Sequence, residues 1–217
     1  MLTAISPLDG RYASKVDPVR EFFSEGALIR VRIAVECVWL LFLCNEIKLP
    51  GTRRITKEEE KKLESLYKDW DESAMKFYGK VKEIEKTTNH DVKAVEYLIK
   101  EEMRKTSLKD LTEFVHFSCT SEDITNLAYG ALLKKFVWTV FIPKLEQLNK
   151  NLHALANKYK KTPMLAHTHG QPASPTTVGK EFKIFMKRLE RQISQLKKQN
   201  HFGKINGATG NYNAHVV

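Results

Sequence analysis

With 217 residues, 42% of them hydrophobic and 29% charged, the chain is long enough to bury a core and has the make-up of a soluble globular protein rather than a disordered one. Its longest purely apolar run, 37–44, falls far short of the roughly 20 residues that cross a bilayer, and the N-terminus lacks the cationic start and apolar stretch of a signal peptide. The net charge of +10 is uneven, with 21 Lys+Arg against 20 Asp+Glu in 1–110 and 15 against 6 in 111–217, an imbalance suited to an anionic partner.

The pattern is helical almost throughout. Apolar residues at Ile29, Ile33, Leu40 and Leu43/Cys44 predict a helix over 25–47, ended by Pro50-Gly51. Thr56 and Glu59 have capping-box spacing, which predicts a second helix with acids in its first turn. A third is predicted from 91 to about 106, with Val92, Val95, Leu98 and Ile99 on one face. A fourth, capped by Ser121, continues through Leu127, Leu132 and Phe136. Pro143, in a position where a first-turn proline is tolerated, opens a fifth that runs to about 159. The stretch 162–177 then holds three prolines, a glycine and two histidines, which no regular element accommodates easily. Ser174-Pro175 reads as the cap and first residue of a long amphipathic helix carrying Val178, Phe182, Phe185, Leu189, Ile193 and Leu196. No strand pattern of comparable strength occurs.

The expected fold is therefore all-α. A helical domain over 1–110 precedes the first part of a long-helix bundle over 111–217. The closing Gly/Asn-rich loop, 203–217, has no following element and reads as a chain cut before the bundle is complete. Cys37, Cys44 and Cys119 make an odd count without a CxxC pair, which suits buried thiols in a reducing cytoplasm. The lysines of the second half are scattered without interleaved aromatics, so solvated helix faces explain most of them and nucleic acid is not expected as a partner.

Four polar clusters could carry chemistry, all at helix ends or in loops. Ser6–Tyr12 is either a turn with one surface arginine or a guanidinium and a phenol presented to a phosphate; the residues alone favour the former. Thr87-Thr-Asn89-His90-Asp91 precedes a helix. It is either a cap with an incidental histidine or an anion site in which His90 acts as acid, base or donor. Ser118-Cys-Thr120-Ser121-Glu-Asp123 opens another helix with two hydroxyls that can cap it or bind a carboxylate or phosphate. Ala166-His167-Thr168-His169-Gly-Gln-Pro offers two histidines. Metal ligation fits poorly because no cysteine or acid lies nearby in sequence. A histidine near its ordinary pKa of about 6.5 suits proton transfer.

Taken in order, the strings 6–12, 87–96, 120–124, 168–173 and 203–215 resemble those of the adenylosuccinate lyases of the aspartase/fumarase superfamily, and the similarity covers the whole chain. The first, second and last select the purine enzymes over the fumarases, aspartases and argininosuccinate lyases. The resemblance implies a β-elimination that releases fumarate from adenylosuccinate or its imidazole-carboxamide analogue, with no metal or organic cofactor. It implies that Arg11 and Tyr12 hold the nucleotide and that Asn89, His90 and Asp91 line the site. It implies further that Thr120 and Ser121 donate hydrogen bonds and that His169 protonates the departing nitrogen with Thr168 beside it. Lys93 also matches the family string, with a less certain role. The family's base is a serine in a Ser-Ser-x-Met-Pro-x-Lys-x-Asn-Pro loop that these residues do not include, so the chain is expected to be inactive alone. A cytoplasmic homotetramer, bound to no membrane, is the family's usual form. The competing readings are another succinyl-compound lyase of the superfamily and a non-catalytic basic helical protein.

Overall fold

A computed structural model describes residues 3–216; Met1 and Leu2, at the start of the expected 1–110 domain, and Val217, at the end of the 203–217 loop, lie outside the described residues. The chain divides into two compact units, with boundaries between Leu133 and Lys134 and between His201 and Phe202, so that the residues from Phe202 onward belong with the first unit.

The first unit is built on helix α1 (Ala13–Phe23), α2 (Glu25–Phe42, extended by a π-turn over Leu43–Ile47), α3 (Lys57–Ser65), α4 (Glu72–Thr88) and α5 (Asp91–Arg104). A 3₁₀ segment, Ser107–Phe114, leads towards α6 (Ser121–Phe136). Helix α2 starts where Ser24 accepts a bond from the Ala27 amide, and the apolar stripe Ile29, Ile33, Cys37, Leu40 and Cys44 is buried. Against it pack Val95, Leu98 and Ile99 of α5, Leu63 of α3 and Tyr78 and Val81 of α4, one continuous core. Both halves of the expected capping box form at Thr56 and Glu59. The thiols are free; Cys37 and Cys44 are buried, and burial pushes both above the usual thiol range.

The second unit is a helix pair, α7 (Ile142–Lys158) and α8 (Val178–Lys197), joined by an antiparallel hairpin of β1 (Pro163–Thr168) and β2 (Gln171–Thr177). This hairpin is a correction to the irregular stretch expected over 162–177. A two-stranded ribbon has only edge strands, so prolines are tolerated in both, and a bulge between Leu165 and His167 absorbs the mismatch. The expected cap at Ser174 is also corrected. Strand β2 takes that residue, and Thr177 caps α8 by accepting from the Lys180 amide at 3.1 Å. Gly179 lets α8 lie on the end of α7, its amide bonding the Tyr159 carbonyl at 3.0 Å. Among the described residues helix dominates, as the all-α expectation holds, and no helix is long and apolar enough to cross a membrane.

Candidate functional site

In the first unit, α4 ends and α5 begins at Asn89-His90-Asp91. Asn89 takes the left-handed conformation, φ 49°, which asparagine tolerates better than most residues, and so reverses the chain between the two helices. His90 caps α5: its Nδ1 accepts the Lys93 amide at 3.2 Å. When the ring is neutral its proton therefore sits on Nε2, which faces the Ser121 hydroxyl at 3.3 Å. The ring donates to Ser121 and leaves the hydroxyl proton free for another acceptor.

Asp91 is fixed from below. Its Oδ2 pairs with the buried Arg32 guanidinium at 2.7 Å, and its Oδ1 accepts the Val92 amide at 2.8 Å. Burial works against this carboxylate, but the charge of Arg32 and these bonds outweigh it and hold Asp91 below the usual carboxylate range. Arg32 also donates to the Thr125 hydroxyl at 3.0 Å, so one guanidinium ties the start of α5 to α6. One turn along α2, the fully buried Glu36 meets His116 Nδ1 at 2.5 Å. Burial opposes the imidazolium there, yet the bond and charge of Glu36 prevail and raise the His116 pKa above its ordinary value. Lys93 is held by Glu96 at 2.7 Å, which raises its pKa, and its ammonium lies 5.5 Å from the centre of the Tyr97 ring.

The start of α6 differs from the expectation in one respect. Ser121 is inside the helix with its hydroxyl at His90, and the side chain that meets an amide there is Asp123, accepting from the Thr120 N–H at 2.9 Å. The closing loop returns to this same helix start. The Lys204 ammonium reaches Asp123 at 2.7 Å, the Asn126 side chain grips the Lys204 backbone at 2.8 and 2.9 Å, and the Ser118 hydroxyl donates to the Ala214 carbonyl at 2.7 Å.

The remaining predicted residues form two further groups. Ser6–Tyr12 is the turn that the residues suggested, with the Asp9 and Gly10 amides on the Ser6 carbonyl; Arg11 is exposed, its guanidinium 5.6 Å from the Tyr12 ring centre. In the second unit, His169 and Gly170 are the two loop residues of the hairpin, with φ 52° and 72° between the paired Thr168 and Gln171. Two successive positive φ values make this the mirror-image turn favoured by hairpins, and histidine is among the few non-glycine types that enter it readily. His169 thus stands exposed at a hairpin tip with Thr168 preceding it.

A direct hydrogen bond therefore unites His90 and Ser121, with Asn89, Asp91 and Thr120 adjacent to them in the chain. Arg32, Glu36, His116 and Lys204 were not singled out from the sequence as functional. A signal existed for two of them: Arg32 and Glu36 interrupt the apolar stripe of α2 at helical spacing, where a charge needs a buried partner.

Residues 10–217 match the family described as Lyase. The chain is 45% identical over 216 residues to an adenylosuccinate lyase of Haemophilus influenzae, covering 99% of this chain and 47% of the relative. It is 48% identical over 222 residues to one of Dictyostelium discoideum, with 100% and 47% covered. Among solved structures, a fumarate lyase from Mesorhizobium sp. BNC1 superposes with a TM-score of 0.71 at 17% identity, covering 91% of this chain and 44% of that one. A β-carboxy-cis,cis-muconate cycloisomerase from Acinetobacter gives 0.70 at 16%, with the same coverage; at these identities the likeness concerns the fold. The chain spans about half the length of the curated relatives it matches. With the family pattern matched over residues 10–217, the chain belongs to the lyase family.

Proposed function

We propose that these residues form part of an enzyme that eliminates fumarate from adenylosuccinate and from the succinyl-aminoimidazole-carboxamide nucleotide. The observation that carries the reading is the His90–Ser121 pair beside Thr120, a set of donors at two helix starts with the Asp91 carboxylate fixed next to them by Arg32, in a chain whose relatives are named adenylosuccinate lyases. Such donors suit the negative charge that develops on the carboxylate side of an elimination.

In this reading Arg11 and Tyr12 hold the nucleotide, and Asn89, His90 and Asp91 line the site. Thr120 and Ser121 donate hydrogen bonds to the succinyl or nucleotide groups, Thr168 contacts a carboxylate, and His169 is the general acid at the leaving nitrogen. The exposed hairpin tip suits His169 to a ligand that arrives from outside its own unit. Charge supports an anionic substrate: residues 134–201 hold 14 Lys+Arg against 3 Asp+Glu, counted along the sequence, so the whole positive excess lies in the unit that carries His169. No cofactor is required. The base is assigned to a residue outside these 217, so the complete reaction belongs to a protein of its relatives' length, a cytoplasmic homotetramer with a helical domain over 1–110 and a bundle beginning at 111.

The test is fumarate release by a protein extended to that length. Adenylosuccinate is expected to be turned over and argininosuccinate not, with His169→Ala slowing turnover by about 10²–10⁴-fold. Preference for argininosuccinate, or an unimpaired His169→Ala variant, refutes the assignment.

A further inference from the structure

Asp123 is fully buried, and each of its oxygens accepts two hydrogen bonds. Oδ1 takes the Lys204 ammonium at 2.7 Å and the Asn206 amide at 3.1 Å; Oδ2 takes the Thr120 amide at 2.9 Å and the Gly207 amide at 3.2 Å. That fills the acceptor capacity of an ionised carboxylate. Three of the four donors come from the loop that follows Gly203, and the fourth is the amide next to Ser121. The approach is close: a Cβ on Gly203 would come within 2.4 Å of the end of the Leu127 side chain, which would have to turn aside to admit it. Ser118, φ 60°, and Tyr212, φ 59°, hold left-handed conformations that persist where the surroundings over-determine them. An ion pair with a buried carboxylate is a weak source of stability compared with apolar packing, so its four directed bonds bear on geometry more than on stability.

We infer that Asp123 is a positioning residue which locks the loop 203–215 against the helix start bearing Thr120 and Ser121, making that loop part of the same ligand surface. The inference rests on the reading of Thr120 and Ser121 as ligand donors. The titratable groups facing the carboxylate are Lys204 from the loop and Cys119 from the segment before α6, with Glu36 beyond Cys119. Burial and the charges of Glu36 and Asp123 push the Cys119 thiol up to about 12, so it stays neutral and does not compete.

The experiment is amide hydrogen exchange by NMR on the full 217-residue chain, with AMP as the ligand probe. In Asp123→Asn, protection at Thr120, Asn206 and Gly207 is expected to fall at least about tenfold, because an amide offers one accepting oxygen and turns its NH₂ on the other donors. Protection at Val95 and Leu98 should hold, reporting an intact core. The unmutated chain gives a second reading independent of that variant's folding: protection at Asn206 and Gly207 should drop as pH falls through the depressed pKa of Asp123, with α5 still protected. AMP should shift the Thr120 and Ser121 amides and, through the loop, those of 204–207. Unchanged protection in Asp123→Asn, a flat pH profile, or AMP shifts confined to Thr120 and Ser121 would overturn the inference. AMP moving neither segment counts against the proposed function, while the exchange data alone then decide the positioning role.

Discussion

Gly179 sits where α8 crosses the end of α7, and replacing it with alanine is the sharpest perturbation that the structure offers. A Cβ there would stand 2.4 Å from the Ala156 carbonyl oxygen and 2.6 Å from both N and Cα of Lys160. All three are backbone atoms, so no rotamer change relieves the clash and the helices must part by about 1 Å. Overpacking of this kind costs about 1–3 kcal/mol. The 3.0 Å bond from the Gly179 amide to Tyr159 is strained at the same time, which adds about 1 kcal/mol. Removing a helical glycine returns about 0.5–1 kcal/mol. The net is a loss of about 1–3.5 kcal/mol in the second unit, or about a 5- to 400-fold fall in amide protection along α7 and α8. Thr177 both ends β2 and caps α8, so the displacement also reaches the hairpin that presents Thr168 and His169. Hydrogen exchange resolved by residue is the assay, with Gly79→Ala as the control. Nothing lies within 4 Å of a Cβ on Gly79 in α4, and that variant should gain about 0.5–1 kcal/mol. Protection in Gly179→Ala within threefold of the parent chain would refute the packing argument.

Arg32→Met should weaken the first unit by about 1–3 kcal/mol in urea titration, less than for a wholly buried pair because Asp91 keeps half its surface in water. It should also broaden the His90 ring resonances as the start of α5 loosens. His116 has a raised pKa in the fold, so its pairing with Glu36 contributes full stability below the unfolded value of about 6.5, and that contribution is lost as pH rises through the folded value. Urea midpoints taken from pH 6 to 9 should therefore fall with a slope that His116→Gln abolishes; an equal slope in both chains would remove His116 from the account.

The long apolar stripes were readable because a helix repeats its face every three to four residues, as at Ile29, Ile33, Cys37 and Leu40. The capping box at Thr56 was readable for a related reason: both partners lie within one turn. The hairpin was not readable. Its strands are exposed on both faces and contain Pro163, Pro172 and Pro175, so they show neither alternation nor strand propensity. What defines it is the turn at His169-Gly170, whose positive φ values are a property of the folded backbone.

Polar ligatures were harder still. Arg32 meets Asp91 and Thr125 from 59 and 93 residues away, and Asp123 meets Lys204 from 81. No local spacing encodes such pairs, and a charge in an apolar stripe announces only that a partner exists. The residues proposed to touch ligand, such as His90 and Ser121, were visible because short polar strings at helix starts either cap the helix or meet a ligand, and the resemblance of the strings favoured the second. Those that hold them in place are single charges in otherwise ordinary helices. A buried charge left without its partner costs several kcal/mol, so each of these contacts constrains both ends at once. The geometry of the proposed site is thus set beneath the residues proposed to touch ligand, by Arg32 under Asp91 and by Asp123 under Thr120 and Ser121.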